Sequence, residues 1–355
     1  MVKIMKEKIL MAMSGGVDSS VAAALLVKAG YDVTGAFMVN YDSKNDKLVS
    51  CWQGDYQDAL RVAAKLGIKL LRLNFVKEYK KMVLDYMYKE YSSGRTPNPD
   101  VLCNKFVKFG SWLKKMRELG FDKLATGHYA RLGWVIKNKV KLLQADDENK
   151  DQTYFLHQLT QIQLKQALFP IGQYTKAQVR QLAKKFNLPT ADKEESMGIC
   201  FVGEVPMKKF LSDKIKSKPG KIIFSSGEIA GRHDGLAFYT IGERIGLKKQ
   251  NSKPVFVVDK NIKANILIVG YEHDPLLLKK NIEVVDVNWI TGLSPKFPLK
   301  CEVRLRHRQP LQKAKIIGHN KKIIIDFEKP QRAVTPGQFA VLYKKGECLG
   351  GGVIK

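Results

Sequence analysis

The stretch KILMAMSGGVDSSVAAALLVKAG, residues 8–30, decides the fold class. Residues 8–13 are a short apolar run of strand type. Residues 14–20, SGGVDSS, combine two glycines, three serines and one aspartate. Residues 21–28 read as an apolar helix, and Gly30 stops it, because glycine enters the left-handed conformation without Cβ strain. A buried strand that turns through glycines into a helix start is an anion-binding device. The glycines let backbone N–H groups approach an anion closely, and the helix N-terminus adds partial positive charge and open donors. The serine hydroxyls add further donors. Asp18 is placed either to hold Mg²⁺ or to cap the helix. No Gly-Lys-Ser/Thr follows, so the Walker A pattern is absent.

Outward from this stretch the alternation continues. A strand at 31–39, a helix at 55–66 ended by Gly67, and a strand at 69–73 follow. Helices over about 78–92 and 101–119, ended by Gly94 and Gly120, precede a strand at 123–126. Strands alternating with helices predict a Rossmann-like parallel sheet covered on both faces. Residues 174–186 predict an amphipathic helix with Ala177, Leu182 and Phe186 on its apolar side, and 206–217 a short basic helix. Beyond residue 220 period-two segments take over, near 221–224, 236–240, 254–259, 265–269, 282–290, 300–308, 322–327 and 338–343. They predict one or two small antiparallel barrels or sandwiches.

The composition excludes several classes. At 355 residues, 45% hydrophobic and 27% charged, the chain is neither disordered nor collagen-like. No apolar run approaches the roughly 18–20 residues of a membrane span. The first residues lack the apolar core of a signal peptide, so a cytoplasmic location is expected. The net charge is +27; residues 1–200 hold 32 basic and 20 acidic residues, and residues 201–355 hold 29 and 14. Such an excess repels itself unless a polyanion is a partner. Nucleic acid is the first candidate and an anionic membrane the second, against a merely solvated lysine-rich surface. The cysteines, Cys51, Cys103, Cys200, Cys301 and Cys348, are odd in number and widely spaced, with no CxxC. A disulfide framework or a zinc site is not expected.

Two cysteines stand in unusual settings. In TPNPDVLCNK, residues 96–105, two prolines stiffen a turn that leads into a helix. Asp100 precedes Cys103 by three residues, within one helical turn. A helix N-terminus favours thiolate, whereas the Asp100 charge opposes it, so Asp100 reads as a group acting on substrate. In EESMGICFVG, residues 194–203, Cys200 follows a glycine-containing loop. Taken singly, each cysteine also suits a buried structural role. In residues 301–308, Cys301, Val303, Leu305 and His307 point one way and Glu302, Arg304, Arg306 and Arg308 the other. Three arginines on a solvent face suit phosphate contacts.

The loop SGGVDSS matches the PP-loop of ATP pyrophosphatases, which cleave ATP between its α and β phosphates. With it occur, in order, TPNPDVLCNK, TGHYA (126–130), KDQTYFL (150–156), SMGICFVG (196–203), GRHDGL (231–236), YTIG (239–242), TPGQFAVLY (335–343) and GGGVI (350–354). Together these resemble the tRNA-specific 2-thiouridylases (the MnmA family) over essentially the whole chain. The resemblance implies a sulfurtransferase that uses ATP and Mg²⁺ to make 2-thiouridine at wobble base 34 of the tRNAs for Lys, Glu and Gln. It implies ATP on Ala12, Met13, Ser14, Gly15, Gly16, Val17, Asp18 and Ser19, with Met38 and Gly127 beside the nucleotide. It implies Cys200 as the persulfide carrier, Cys103 as its partner nucleophile, a transient Cys103–Cys200 disulfide as one route, and Asp100 as acid/base. Asn98, Pro99 and Asp100 would meet the target base; Lys150, Asp151, Gln152, Arg306 and His307 would contact tRNA. A cysteine desulfurase or a relay protein would supply sulfur. The chain departs from the family pattern at Phe106, Glu194, Glu243 and His307.

The expected architecture is a PP-loop α/β domain over residues 1–206, a small central domain over 207–278 and a C-terminal antiparallel β-barrel over 279–355. Two rival functions stay open on sequence alone. One is a PP-loop ligase or amidotransferase acting on a small molecule; the other is a non-catalytic RNA-binding protein.

Overall fold

A computed structural model describes residues 6–41, 52–135, 139–195, 206–247, 253–319 and 322–355. The N-terminal alternation forms a five-stranded sheet in the order Leu70–Asn74, Asp32–Val39, Lys8–Ala12, Lys123–Ala125, Ala167–Leu168, every pair parallel. Strand alternation sends Ile9 and Met11 to one face and Leu10 to the other. Ile9 and Met11 pack with Val21, Ala22, Val62 and Val179. Leu10 packs with Val83, Met87, Val107 and Met116. Both faces are therefore buried, as a parallel sheet requires.

The two long helices after the third strand are not uniformly α-helical. Each widens to i→i+5 winding, at Lys80–Leu84 and at Cys103–Trp112. Gly94 and Gly120 close them at φ of 80° each. The helix Lys176–Lys185 buries Val179 and Ala183, whereas Ala177 faces solvent and Leu182 and Phe186 are half-buried. The apolar side expected from Ala177 is thus rotated toward Val179.

The second sheet runs Arg244–Ile245, Val255–Asn261, Ile266–Gly270, Gly220–Phe224, Ile229–His233 around Ile222, Leu236, Val257, Leu267 and Val269. Residues 236–240 are not a strand: Leu236–Phe238 is a single 3₁₀ turn that tucks Leu236 into this core. The third sheet runs Leu278–Trp289, Lys322–Arg332, Gln312–His319, Leu299–Arg304, Phe339–Lys344, Glu347–Ile354. Its first and last strands here also pair, Val284 with Ile354 and Trp289 with Gly350, which closes an antiparallel barrel. A hairpin from the N-terminal part, Arg131–Val135 and Lys139–Leu143, is annexed to Glu347–Ile354 through Leu142 and Leu143. The strand expected over 300–308 ends at Arg304.

Side chains bind the N-terminal unit to the barrel. The Tyr154 hydroxyl donates to the carbonyls of Leu305 (3.1 Å) and Phe339 (3.2 Å). Gln158 donates to Gly351 O at 2.9 Å. Among the described residues no helix is long and apolar enough to cross a membrane.

Candidate nucleotide and thiol site

The loop after Lys8–Ala12 sits where the sheet order reverses. From this strand the chain first adds neighbours on one side, Asp32–Val39 and Leu70–Asn74, and later Lys123–Ala125 on the other. The crevice at the carboxyl ends of two such strands is where open parallel sheets bind ligands. Gly15 takes φ +76°, and a Cβ there would stand 2.2 Å from Asp55 O. Gly16 is the N-cap of Val17–Lys28, so no side chain caps that helix. The Ser19 and Ser20 hydroxyls donate to Gly16 O at 3.1 and 2.8 Å, and Ser14 N donates to Ser19 Oγ at 3.2 Å. Gly127 backs the loop so closely that a Cβ would lie 2.8 Å from Ser19 N. Met13 and Met38 are buried in the two core clusters on opposite faces of the sheet, and Ala12 is half-buried. The loop is a preformed cradle of backbone donors with exposed Ser14 at its rim.

Asp18 does not cap the helix. Its Oδ1 accepts from Lys176 Nζ at 2.7 Å and from the Tyr129 hydroxyl at 2.8 Å. Burial first, and the Asp18 charge second, hold the Tyr129 phenol well above its usual pKa, so it stays a donor. Lys176 also meets Glu195 at 3.3 Å, and Lys150 donates to both Glu195 oxygens, at 2.8 and 2.6 Å. The Lys150 hydrogen bond, ahead of the Lys176 charge, lowers the Glu195 pKa. On the other flank Lys193 donates to Gly15 O (3.1 Å), Asp55 (2.7 Å) and Asp58 (2.6 Å). Burial pulls the Lys193 pKa down, but its two carboxylate partners outweigh it and the value is raised. Lys176, Lys193 and Tyr129 are the groups that sequence reading missed. A signal existed for Lys176: a cation in the first turn of a helix opposes the macrodipole unless an anion meets it.

The second motif forms a rigid wedge. Pro99–Leu102 starts a helix whose N-cap Asn98 accepts from Val101 N at 3.3 Å, with Pro99 in the first turn. Gln338 of the barrel donates to Thr96 O (3.1 Å) and Pro97 O (3.2 Å), so the TPGQ segment pins the TPNP turn. Asp100 is half-buried and Cys103 wholly buried, in one cluster with Leu102, Val107 and Met38. Cys200, and with it the expected Cys103–Cys200 pair, lies outside the described residues, as does Cys51. Cys301 and Cys348 are buried structural thiols; burial pushes Cys301 up to about 12 and Cys348 further.

Three family models match in sequence: a tRNA methyl transferase HUP domain over residues 7–204, a tRNA methyl transferase PRC-barrel domain over 208–271 and an aminomethyltransferase beta-barrel domain over 279–354. The chain is 46% identical over 353 residues to the tRNA-specific 2-thiouridylase MnmA of Geobacillus thermodenitrificans, covering 98% of this chain and 94% of that one. It is 47% identical to the Bacillus pumilus MnmA, with the same coverages. It is 43% identical to the MnmA of Francisella tularensis subsp. novicida, covering 98% and 99%. The chain belongs to the tRNA-specific 2-thiouridylase family.

Within this 2-thiouridylase the segment 150–152 divides. Lys150 faces the loop region through Glu195. Gln152 clasps Tyr129 twice, accepting from Tyr129 N (3.0 Å) and donating to Tyr129 O (2.9 Å). The Asp151 side chain is turned inward: it is 0% exposed and pairs with Arg304 at 3.1 Å, itself 8% exposed. Ala145 N and the Thr153 amide and hydroxyl also donate to it. Arg304 is therefore not on a solvent face, contrary to expectation. The alternation of residues 301–305 holds, but its second face is covered by the N-terminal unit.

Of the other two arginines expected on that face, Arg308 is exposed, and so is Arg306. Arg306 Nη2 donates to Ile241 O, Ala333 O and Thr335 Oγ1 at 2.9–3.2 Å, which ties barrel to central sheet. His307 is half-buried, 3.0 Å from Asp151 O, with its ring 4.5 Å from that of Phe155. Burial lowers its pKa. His128 is buried, 2.7 Å from Thr126 Oγ1, and burial drives its pKa far down, so it serves as a neutral structural ring. Phe106 is exposed beneath the Lys105 ammonium, 5.1 Å from its centroid, and brings no acid to the thiol helix.

Proposed function

We propose that the protein is an ATP-dependent tRNA-uridine 2-sulfurtransferase that makes 2-thiouridine at wobble base 34 of the tRNAs for Lys, Glu and Gln. The observation that carries this reading is the open anion cradle of residues 14–19, in a chain that shares its full length with 2-thiouridylases. The cradle fits a polyphosphate. An uncapped N-terminus of a 12-residue helix, a left-handed Gly15 and the flanking Lys176, Lys150 and Lys193 supply donors and positive charge. Asp18 would hold Mg²⁺, which takes one or two carboxylates and completes its shell with phosphate and water. Bound there, the ion would neutralise phosphate charge.

The chemistry follows from the substrate. A uracil carbonyl oxygen is a poor leaving group, so O2 attacks the α-phosphate of ATP and pyrophosphate departs. The terminal sulfur of a Cys200 persulfide attacks C2, and AMP leaves with the former O2. Cys103 attacks the Cys200 sulfur and closes a transient Cys103–Cys200 disulfide by one of two routes. Before transfer, the S–S bond of the persulfide breaks and the released sulfide attacks C2. After transfer, the bond between Cys200 and the C2-bound sulfur breaks and 2-thiouridine is freed. An external thiol then reduces the disulfide. Asp100, in the turn before Cys103, moves the proton near the base. Base 34 lies in a loop, so splaying it into the pocket costs little unpairing. Asn98 and Pro99 flank that pocket, and Lys150, Gln152, Arg306 and His307 approach the RNA, whose phosphates answer the +27 charge. We place the three domains at 1–206, 207–278 and 279–355 and the reaction in the cytoplasm, with a cysteine desulfurase or relay protein as donor.

Cys200→Ser tests the reading. tRNA binding should persist while 2-thiouridine, measured by mass spectrometry of digested tRNA, disappears. Retained thiolation would remove Cys200 from the sulfur path, and a small-molecule ligase would lose no activity with either cysteine replaced.

A further inference from the structure

The cradle is faced by cations that are already engaged. Lys176 is fixed in place: Thr175 and Gln178 form a reciprocal capping box around its helix start, and its own amide donates to Asp147 Oδ2 at 2.9 Å. Its side chain is 13% exposed and its ammonium lies between Asp18 and Glu195. Lys150, 22% exposed, donates to the same Glu195. The two carboxylates differ in how they are held. Asp18 belongs to the cradle's own helix and is also bound by the Tyr129 hydroxyl. Glu195 is 37% exposed and, among the described residues, is held by the two lysines alone. One anion bridging two ammonium groups beside an open helix N-terminus is the arrangement a phosphate oxygen would adopt there.

We propose that Glu195 is an internal competitor for the nucleotide's phosphates, occupying Lys176 and Lys150 until a polyphosphate displaces it. The inference rests on the nucleotide-binding reading above. A polyphosphate arriving at the cradle brings several negative charges toward Glu195, and like charges at one pair of lysines exclude each other. The competition acts in both directions. It weakens ATP entry, keeps the lysines arranged when the site is vacant, and helps pyrophosphate leave as Glu195 returns. It costs affinity and favours turnover, since binding that is equally tight before and after reaction slows release.

The experiment is calorimetric titration of the full chain with ATP and, separately, with inorganic pyrophosphate. Glu195→Gln should bind both roughly three- to tenfold more tightly, the range expected for releasing two partly screened ion pairs. Pyrophosphate should inhibit its thiolation more strongly by a similar factor. In a Lys150→Met/Lys176→Met background the same change should have no effect, because no lysine remains to be contested. Unchanged or weaker binding by Glu195→Gln, with wild type binding ATP, would overturn the competitor and leave the nucleotide site standing. Failure of wild type to bind ATP would overturn both. Glu195→Ala serves as a second variant with the same expected direction.

Discussion

Lys150 and Asp151 are neighbours in the chain and carry opposite kinds of ion pair. Lys150 joins a rim network with Glu195, Lys176 and Asp18 whose members are 13–37% exposed. Asp151 joins Arg304 in a pair that is almost wholly buried and is surrounded by Gln144, Ala145 and Thr153 donors. Desolvation makes the difference. An exposed pair is weakly bound and can exchange one anion for another, whereas a buried pair cannot open without stranding a charge. The first is suited to binding a ligand, the second to fastening two domains. Consecutive residues of one motif thus carry a partly exposed ion pair and a buried one.

The contrast is tested most severely at the fastener. Arg304→Met should destabilise the protein by about 3–5 kcal/mol, because Asp151 is left buried without its partner. Chemical denaturation measures this. A cost below about 1 kcal/mol would mean that the buried pair behaves as the rim does. Replacing Asp151 and Arg304 together by apolar residues should recover much of the loss, since desolvation is then avoided for both.

These residues also show what the sequence could and could not tell. The α/β alternation was legible because apolar strands, helical periods and glycine stops at Gly30, Gly67, Gly94 and Gly120 agree with one another. The cradle was legible because its residues are contiguous. Arg304 was misplaced for a physical reason: alternation gives the side-chain direction, not what lies there, and what lies there is Asp151 from 153 residues earlier in the chain. The hairpin 131–143 was missed because it belongs to the barrel's sheet and not to that of its own domain. The strand Glu347–Ile354 was missed because three consecutive glycines, 350–352, look like a loop. They are needed because Cβ atoms at these positions would come within 2.4 Å of Asn288, Ala340 and Val285 carbonyls. Lys176 and Tyr129 meet Asp18 across 158 and 111 residues, a contact no local pattern announces.

An intermediate effect is expected from His157, close to the fastener. It is wholly buried, 2.6 Å from Tyr154 O through Nδ1, and packs edge-on against Phe339 of the barrel at 4.9 Å. Burial lowers its pKa to about 3 from 6.5. Between these values the unfolded chain binds a proton that the folded chain refuses. Stability is therefore full above pH 6.5 and falls as pH drops from 6.5 toward 3, at up to about 1.4 kcal/mol per unit. His157→Gln should flatten that slope in denaturation curves taken between pH 7 and 5. An unchanged slope would assign the acid sensitivity elsewhere.

The smallest effect is expected at the rim, and it is the sharpest test of the contrast. Lys176→Met and Glu195→Gln should each shift unfolding free energy by less than about 1 kcal/mol, because the pairs they break are open to water and screened. The helix that carries Lys176 keeps its capping box from Thr175 and Gln178, so no secondary structure depends on the ammonium. A residue that matters to ligand affinity and little to stability is what an exchangeable ion pair predicts. Were Lys176→Met to unfold the protein as readily as Arg304→Met, exposure would no longer separate the two clusters. Lys176 would then be a second fastener, holding the helix Lys176–Lys185 against Val17–Lys28 through Asp18.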